Sequence, residues 1–130
     1  MTNTDFLWAQ LKSLPAFRGL VRACEARLFA TLAPLPQPVL DLGCGDGHFA
    51  QTALGRMDVG IDIDPANIAE AQQRHVYRGL VQASATAVPF ADHSFASLVS
   101  NCVIEHIPDI ASVFREAARL LRPGGLFIFS

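Results

Sequence analysis

No stretch of the 130 residues approaches the run of about 20 apolar residues that a membrane-crossing helix needs. The N-terminal segment MTNTDFLWAQLKSL carries Asp5 and lacks the cationic stretch followed by an apolar core that marks a secretory leader. The reading is a soluble, unexported chain. Basic charge is also scarce: 10 Lys and Arg stand against 12 Asp and Glu, for a net charge of −2, and no basic stripe forms that could neutralise a phosphate backbone. Nucleic acid is therefore excluded as the default partner. Cys24, Cys44 and Cys102 are an odd number without CxxC spacing, which excludes a disulfide framework or a zinc site and fits a reducing, cytoplasmic setting. Internal repeats and low-complexity tracts are missing too. What the chain does have is apolar material, 51% of its residues against 17% charged, enough for the core of one domain.

The pattern of that material alternates between strand and helix. Phe17, Leu20, Val21, Cys24, Leu28 and Leu32 recur at helical spacing, with Ser13 as a candidate N-cap and Pro15 in the first turn, and predict one amphipathic N-terminal helix. Pro34, Pro36 and Pro38 end it, and Val39 to Leu42 is a short apolar run suited to a buried parallel strand. A short helix over His48 to Leu54 and a second strand over Val59 to Asp62 follow. Asp64-Pro65 reads as N-cap and first turn of a helix to about Arg74, and Leu80-Val81 opens a third strand. Phe95 to Asn101 is a fourth strand. Asp109 caps a helix presenting Ile110, Val113, Phe114, Ala117, Leu120 and Leu121, and Arg122 to Gly125 turns into a fifth strand over Leu126 to Ser130. Strand-helix alternation with short loops predicts an α/β, doubly wound Rossmann-like parallel sheet with helices on both faces. The expected division is an N-terminal helical cap region over residues 1–37 and the Rossmann-like domain over residues 38–130.

Ligands of such sheets bind beyond the carboxyl ends of the strands, at the point where the winding reverses. Asp41-Leu42-Gly43-Cys44-Gly45-Asp46-Gly47 sits at such an end, and its alternating glycines let the backbone turn sharply and lie against a ligand near a helix N-terminus. A glycine-rich turn with no ligand is the plain alternative. Asp62 closes the second strand 21 residues after Asp41, where a carboxylate would accept from two ribose hydroxyls. A dinucleotide fingerprint needs Gly or Ala three residues after Gly45; the residue there is His48, which argues against NAD and against a Rossmann oxidoreductase.

The GxGxG spacing after a strand-terminal Asp resembles the first motif of the class I S-adenosylmethionine-dependent methyltransferases, of the kind called type 11. The likeness continues in order along the chain: Val39 to Ala50, Gly60 to Ala71, Val88-Pro89-Phe90 with Phe95, Asn101 to Asp109, and Arg119 to Phe129 (ARLLRPGGLFIF). The resemblance implies that Asp41 and the Gly43, Cys44 and Gly45 backbone hold the amino-acid end of S-adenosyl-L-methionine. It implies further that Asp62 binds the ribose, Ile63 lies on the adenine, Ser84 and Ala85 border the adenine edge, and Asn101 lies near the methionine moiety. The family most often has Asp where Ser84 stands, so the adenine amine would meet an acceptor without charge assistance. At Ala96 many relatives also have Asp.

Methyl transfer from a sulfonium is an in-line displacement, and alignment of the reactants supplies much of its rate. His106, after Glu105 at the end of the fourth strand, stands where a nucleophile would approach and is the candidate base for an oxygen or nitrogen acceptor. The alternative is that Glu105-His106 only orders the loop. Quinone-biosynthesis O-methyltransferases resemble this segment but place a metal-binding Glu where Cys102 stands, and a soft thiol is a poor ligand for Mg²⁺, so no metal is expected. Arg18 and Arg22 could reach a cofactor carboxylate or be solvated. Trp8 and Phe17 could form a lid or pack in the core, and His75 and Tyr77 are read as surface residues.

Class I methyltransferases resemble a seven-stranded sheet, and five strands are predicted here. The fifth would then be an apolar edge, which points either to truncation or to another chain, in a dimer or hetero-complex, pairing with residues 126–129. The leading expectation is a methyltransferase acting on an oxygen, nitrogen or carbon of a small-molecule acceptor. The alternative is a truncated, non-catalytic S-adenosylmethionine-binding or interaction module.

Overall fold

The computed structural model describes residues 5–130; the first four residues of the N-terminal segment lie outside them. Five parallel strands form one sheet in the order β3-β2-β1-β4-β5. They are β1 (Val39–Leu42), β2 (Met57–Asp62), β3 (Tyr77–Gln82), β4 (Phe95–Ser100) and β5 (Leu121–Phe129). The helices are α1 (Phe6–Leu11), α2 (Ala16–Ala30), α3 (Pro65–Gln73) and α4 (Ile110–Leu120), with a π-helical turn over Ala50–Leu54 and a 3-10 turn over Ile104–His106. Winding reverses between β1 and β4, which pair Val39 with Ser97 and Asp41 with Val99. The doubly wound Rossmann-like expectation is met.

Period-two alternation assigns the core. Leu40, Leu42, Ile61 and Leu98 point to one face, where Val113, Ala117 and Leu120 of α4 cover them. Val39 and Val99 point to the other, where Met57 at the start of β2 joins them under Phe29 of α2 and Ala50 of the π-helical turn. The central β1 is buried along its whole length, as a parallel strand covered on both faces must be. Asp64 and Asp109 cap α3 and α4 as expected, accepting from the N–H of Ala66 and Ser112. Two buried serines on β4 use their hydroxyls inward: Ser97 donates to the Pro36 carbonyl and Ser100 to that of Leu42, both at 2.8 Å.

Three expectations are corrected. The N-terminal region is two helices, with Pro15 rather than Ser13 at the α2 N-cap. The stripe read as the buried face of α2 is its outer face: Phe17 is 81% exposed and Leu28 67%, while Gly19, Ala23, Ala26 and Phe29 are buried. Small residues won because they let α2 approach α1 closely; a Cβ at Gly19 would already stand 3.1 Å from Leu11 Cδ2. Trp8, also exposed, belongs to no core. Second, β3 starts at Tyr77, which is half-buried rather than a surface residue. Third, β5 starts at Leu121, so Arg122 to Gly125 is an irregularity inside the strand: Phe95 pairs with Leu121 and Ser97 with Leu126.

Candidate functional site

β1 delivers the chain into the glycine loop, and the loop is stitched to the end of β2. The N–H groups of Gly43 and Cys44 both donate to the Ile61 carbonyl, at 2.9 and 2.7 Å. Asp62, the next residue, takes three donors: Gly45 N–H at 2.9 Å on one oxygen, and Asp64 N–H at 2.9 Å and Asn67 Nδ2 at 3.1 Å on the other. One carboxylate thus fixes the glycine loop against the start of α3. On the far side Arg74 donates from Nε to the Asp46 carbonyl at 2.7 Å and pairs with the Asp46 carboxylate at 2.9 Å. Burial pushes the Asp46 carboxyl up, but the His48 N–H and Arg74 more than offset this and leave it below its ordinary range.

Two hollows of about 510 Å³ each flank Asp62 and share Gly43, Asn67, Cys102 and Val103, a size suited to small-molecule ligands. The first is lined by Asp41, Gly43, Cys44, Gly45, Asp62 and Asn101. The second is lined by Ile63, Ser84 and Ala85 together with Asp62 and His106. All nine residues expected around the cofactor therefore converge on one joined depression. Ile63 is 70% exposed and offers an apolar surface, and Ser84 Oγ is engaged with Thr86 Oγ1 at 2.8 Å. Glu105 lines neither hollow and stands 3.7 Å from His106, and both are well exposed. His106 opens on the side of Ser84 and Ile63, not on that of Asp41 and Asn101.

Asp41 is buried, and Tyr77 Oη donates to its Oδ2 at 2.6 Å. Burial pushes the Asp41 carboxyl up to about 6; the Tyr77 hydrogen bond opposes this and the Asp62 charge adds to it. The Cys44 thiol is driven far above its usual range by burial and by Asp41 and Asp62, so this residue offers the site its backbone rather than a thiolate.

Arg22 lines the first hollow and is not a solvated charge. Its guanidinium donates to Glu25 at 2.9 Å and to Asn101 Oδ1, while Asn101 Nδ2 donates to Ser130 Oγ. Glu25 in turn accepts from the Cys102 thiol at 3.0 Å, so α2 is tied to the ends of β4 and β5. Burial pushes the Cys102 thiol up, and donation to Glu25 adds to the effect. Among the described residues no group of three His, Cys, Asp or Glu side chains is placed to hold a metal ion. Sequence reasoning missed Asn67, Arg74 and Tyr77. Asn67 had a faint signal as the amide in the first turn of α3, five residues beyond Asp62; the other two had none.

Residues 40–129 match the family model described as a methyltransferase domain. The chain belongs to that family. A methyltransferase of a Mycobacterium species (strain KMS) is 39% identical over 99 residues, which make up 75% of this chain and 39% of that protein. A probable S-adenosylmethionine-dependent methyltransferase of Mycolicibacterium smegmatis is 35% identical over 94 residues, or 71% of this chain and 37% of the relative. This methyltransferase domain thus spans under two fifths of the length of these relatives. A solved structure of an S-adenosylmethionine-dependent methyltransferase from Thermotoga maritima shares the fold, with a TM-score of 0.71 at 23% identity over 94% of this chain and 59% of that one. Among the described residues no helix is long and apolar enough to cross a membrane.

Proposed function

We propose that the two hollows form one site for S-adenosyl-L-methionine, and that the domain is the cofactor half of a methyltransferase acting on an oxygen, nitrogen or carbon of a small-molecule acceptor. The observation that carries this reading is Asp62, whose carboxylate orders the glycine loop while lining both hollows. The residues fit the group. Gly45 (φ 54°) has no atom within 4 Å of where a Cβ would lie, leaving open space above the loop, and the second hollow is mostly apolar, as a nucleobase requires. Asp41 would hold the amino-acid end, Asp62 the ribose, and Ile63, Ser84 and Ala85 the adenine, with Asn101 fixed by Arg22 beside the methionine moiety. When bound, the cofactor supplies a methyl group already activated on a sulfonium. Three free thiols support a cytoplasmic setting, and the −2 net charge supports a small acceptor over nucleic acid.

Calorimetric titration with S-adenosylhomocysteine, run in parallel with NADH, tests the reading without knowledge of the acceptor. Binding of the former alone is expected; binding of NADH alone overturns it. With a turning-over acceptor in hand, His106→Ala is expected to lower turnover about 100-fold or more if the imidazole is a general base, with S-adenosylhomocysteine affinity unchanged. Intact turnover assigns Glu105-His106 to loop order alone.

The edge of the sheet favours a second reading alongside the first. Leu126 and Phe129 of β5 are 46% and 50% exposed, and Phe114, Phe127 and Phe129 form an aromatic cluster there with centroids 5.0–5.8 Å apart. An apolar parallel edge of this kind is suited to a further strand, supplied by the remainder of a longer chain of the relatives' length, by a partner chain or by a second copy. A monodisperse monomer in solution counts against pairing between chains.

A further inference from the structure

Asp41 and Tyr77 are 36 positions apart, on strands that are not neighbours: β2 runs between them. The residue of β2 paired with Asp41 is Gly60, and the Tyr77 ring crosses the sheet there. A Cβ on Gly60 would lie 2.8 Å from Tyr77 Cε1 and 2.9 Å from Cδ1, too close to coexist with the ring. The far edge of the ring reaches the glycine loop, where a Cβ on Gly47 would stand 3.2 Å from Cε2. Among the described residues, Tyr77 is the one side chain that donates to the Asp41 carboxylate.

We propose, building on the cofactor reading above, that Tyr77 is the positioning residue for the amino-acid end of the cofactor: reaching across Gly60, its hydroxyl holds Asp41 oriented and ionised as the acceptor for a cationic ammonium. The surroundings of Asp41 supply no substitute. Asp62 on β2 and Asp46 in the loop are anions, the Cys44 thiol stays protonated, and on β4 the Ser100 hydroxyl is committed to Leu42. Arg18, Arg22, His48, Glu70 and Arg74 line the same hollow, but none donates to Asp41. A hydrogen bond to a charged group contributes about 1.5–3 kcal/mol, and each 1.36 kcal/mol moves a titration midpoint by one pH unit. With the Asp41 carboxyl already pushed up to about 6 by burial, losing the Tyr77 donor carries its titration into the neutral range.

Tyr77→Phe keeps the ring over Gly60 and removes the hydroxyl alone. Carbon-detected NMR of the Asp41 carboxyl, with no ligand added, is expected to show the titration midpoint rising by about one to two pH units. S-adenosylhomocysteine affinity is expected to fall about three- to twenty-fivefold at pH 6.5 and less than twofold at pH 8.5, since the carboxylate is mostly ionised in both proteins at the higher pH. His48, whose pKa burial and Arg74 depress, titrates in both proteins and cancels in the comparison. If the variant and the unsubstituted chain bind S-adenosylhomocysteine with the same pH profile, or if the Asp41 midpoint does not move, the proposal is overturned while the cofactor reading stands. If the unsubstituted chain does not bind at any pH, both fall.

Discussion

Replacing Asp62 by asparagine is expected to weaken S-adenosylhomocysteine binding about 100-fold, equivalent to about 2.7 kcal/mol, in calorimetric titration. The carboxylate has two oxygens and faces three donors within the protein, Gly45 N–H, Asp64 N–H and Asn67 Nδ2. An amide of the same shape has one acceptor and two donors of its own, so whichever way it turns, an N–H group faces an N–H group. The loop then loses its tether to β2's end at the same time as the ligand loses an anionic partner for its ribose hydroxyls. Both losses fall on charge-assisted hydrogen bonds, which are about twice as strong as neutral ones. The loop remains held through Arg74 and Asp46 and through the Ile61 carbonyl, so the fold is expected to survive and thermal stability to drop far less than affinity. An Asp62→Asn variant binding within threefold of the unsubstituted chain would remove Asp62 from the site.

Gly43→Ala is expected to have the largest effect on stability, a loss of several kcal/mol read by urea or thermal unfolding. Two costs combine. At φ 81° an alanine is in the left-handed region that a side chain disfavours by about 1–2 kcal/mol. Its Cβ would also lie 2.5 Å from Cγ1 and 2.6 Å from Cγ2 of Val103, well inside contact distance. Val103 follows β4 and lines both hollows, so the clash strikes the wall shared by the two halves of the site. The double variant Gly43→Ala/Val103→Ala separates the costs: it should recover the steric part and leave the backbone part, giving a coupling of at least about 1 kcal/mol between the two positions. Strict additivity would mean that Val103 is not the obstacle.

Much of the sheet was legible because a strand buried on both faces needs a short, mostly apolar run, and Val39 to Leu42 and Phe95 to Asn101 supply it, broken only by Asp41 and by Ser97, Ser100 and Asn101. Asp41, the glycine loop and Asp62 were legible for a related reason: the distance along the chain from one strand end to the next is fixed by a β-α-β unit. The facing of α2 was not. Periodicity weights bulk, and Phe17, Leu20, Leu28 and Leu32 are bulky, whereas the buried face is built from small residues, Gly19, Ala23 and Ala26, with Gly19 set close against α1. Tyr77 escaped because its partner lies two strands away, a relation that only strand order creates. The same holds for Arg22, whose contact with Asn101 joins segments 79 positions apart.

The ring of Tyr77 over Gly60 and beside Gly47 also limits how this site can vary by single substitutions. No side chain can be introduced at position 60 while the ring is in place and Leu80 Cδ2 stands 2.9 Å from where its Cβ would lie, and shrinking the ring at 77 removes the donor on which Asp41 depends. Each single step away from the present combination passes through a worse intermediate, so positions 41, 60 and 77 form an epistatic set. In a library varying these three positions together, functional clones should recover a Gly at 60 almost wherever they recover a Tyr at 77, and other solutions should appear only as joint replacements.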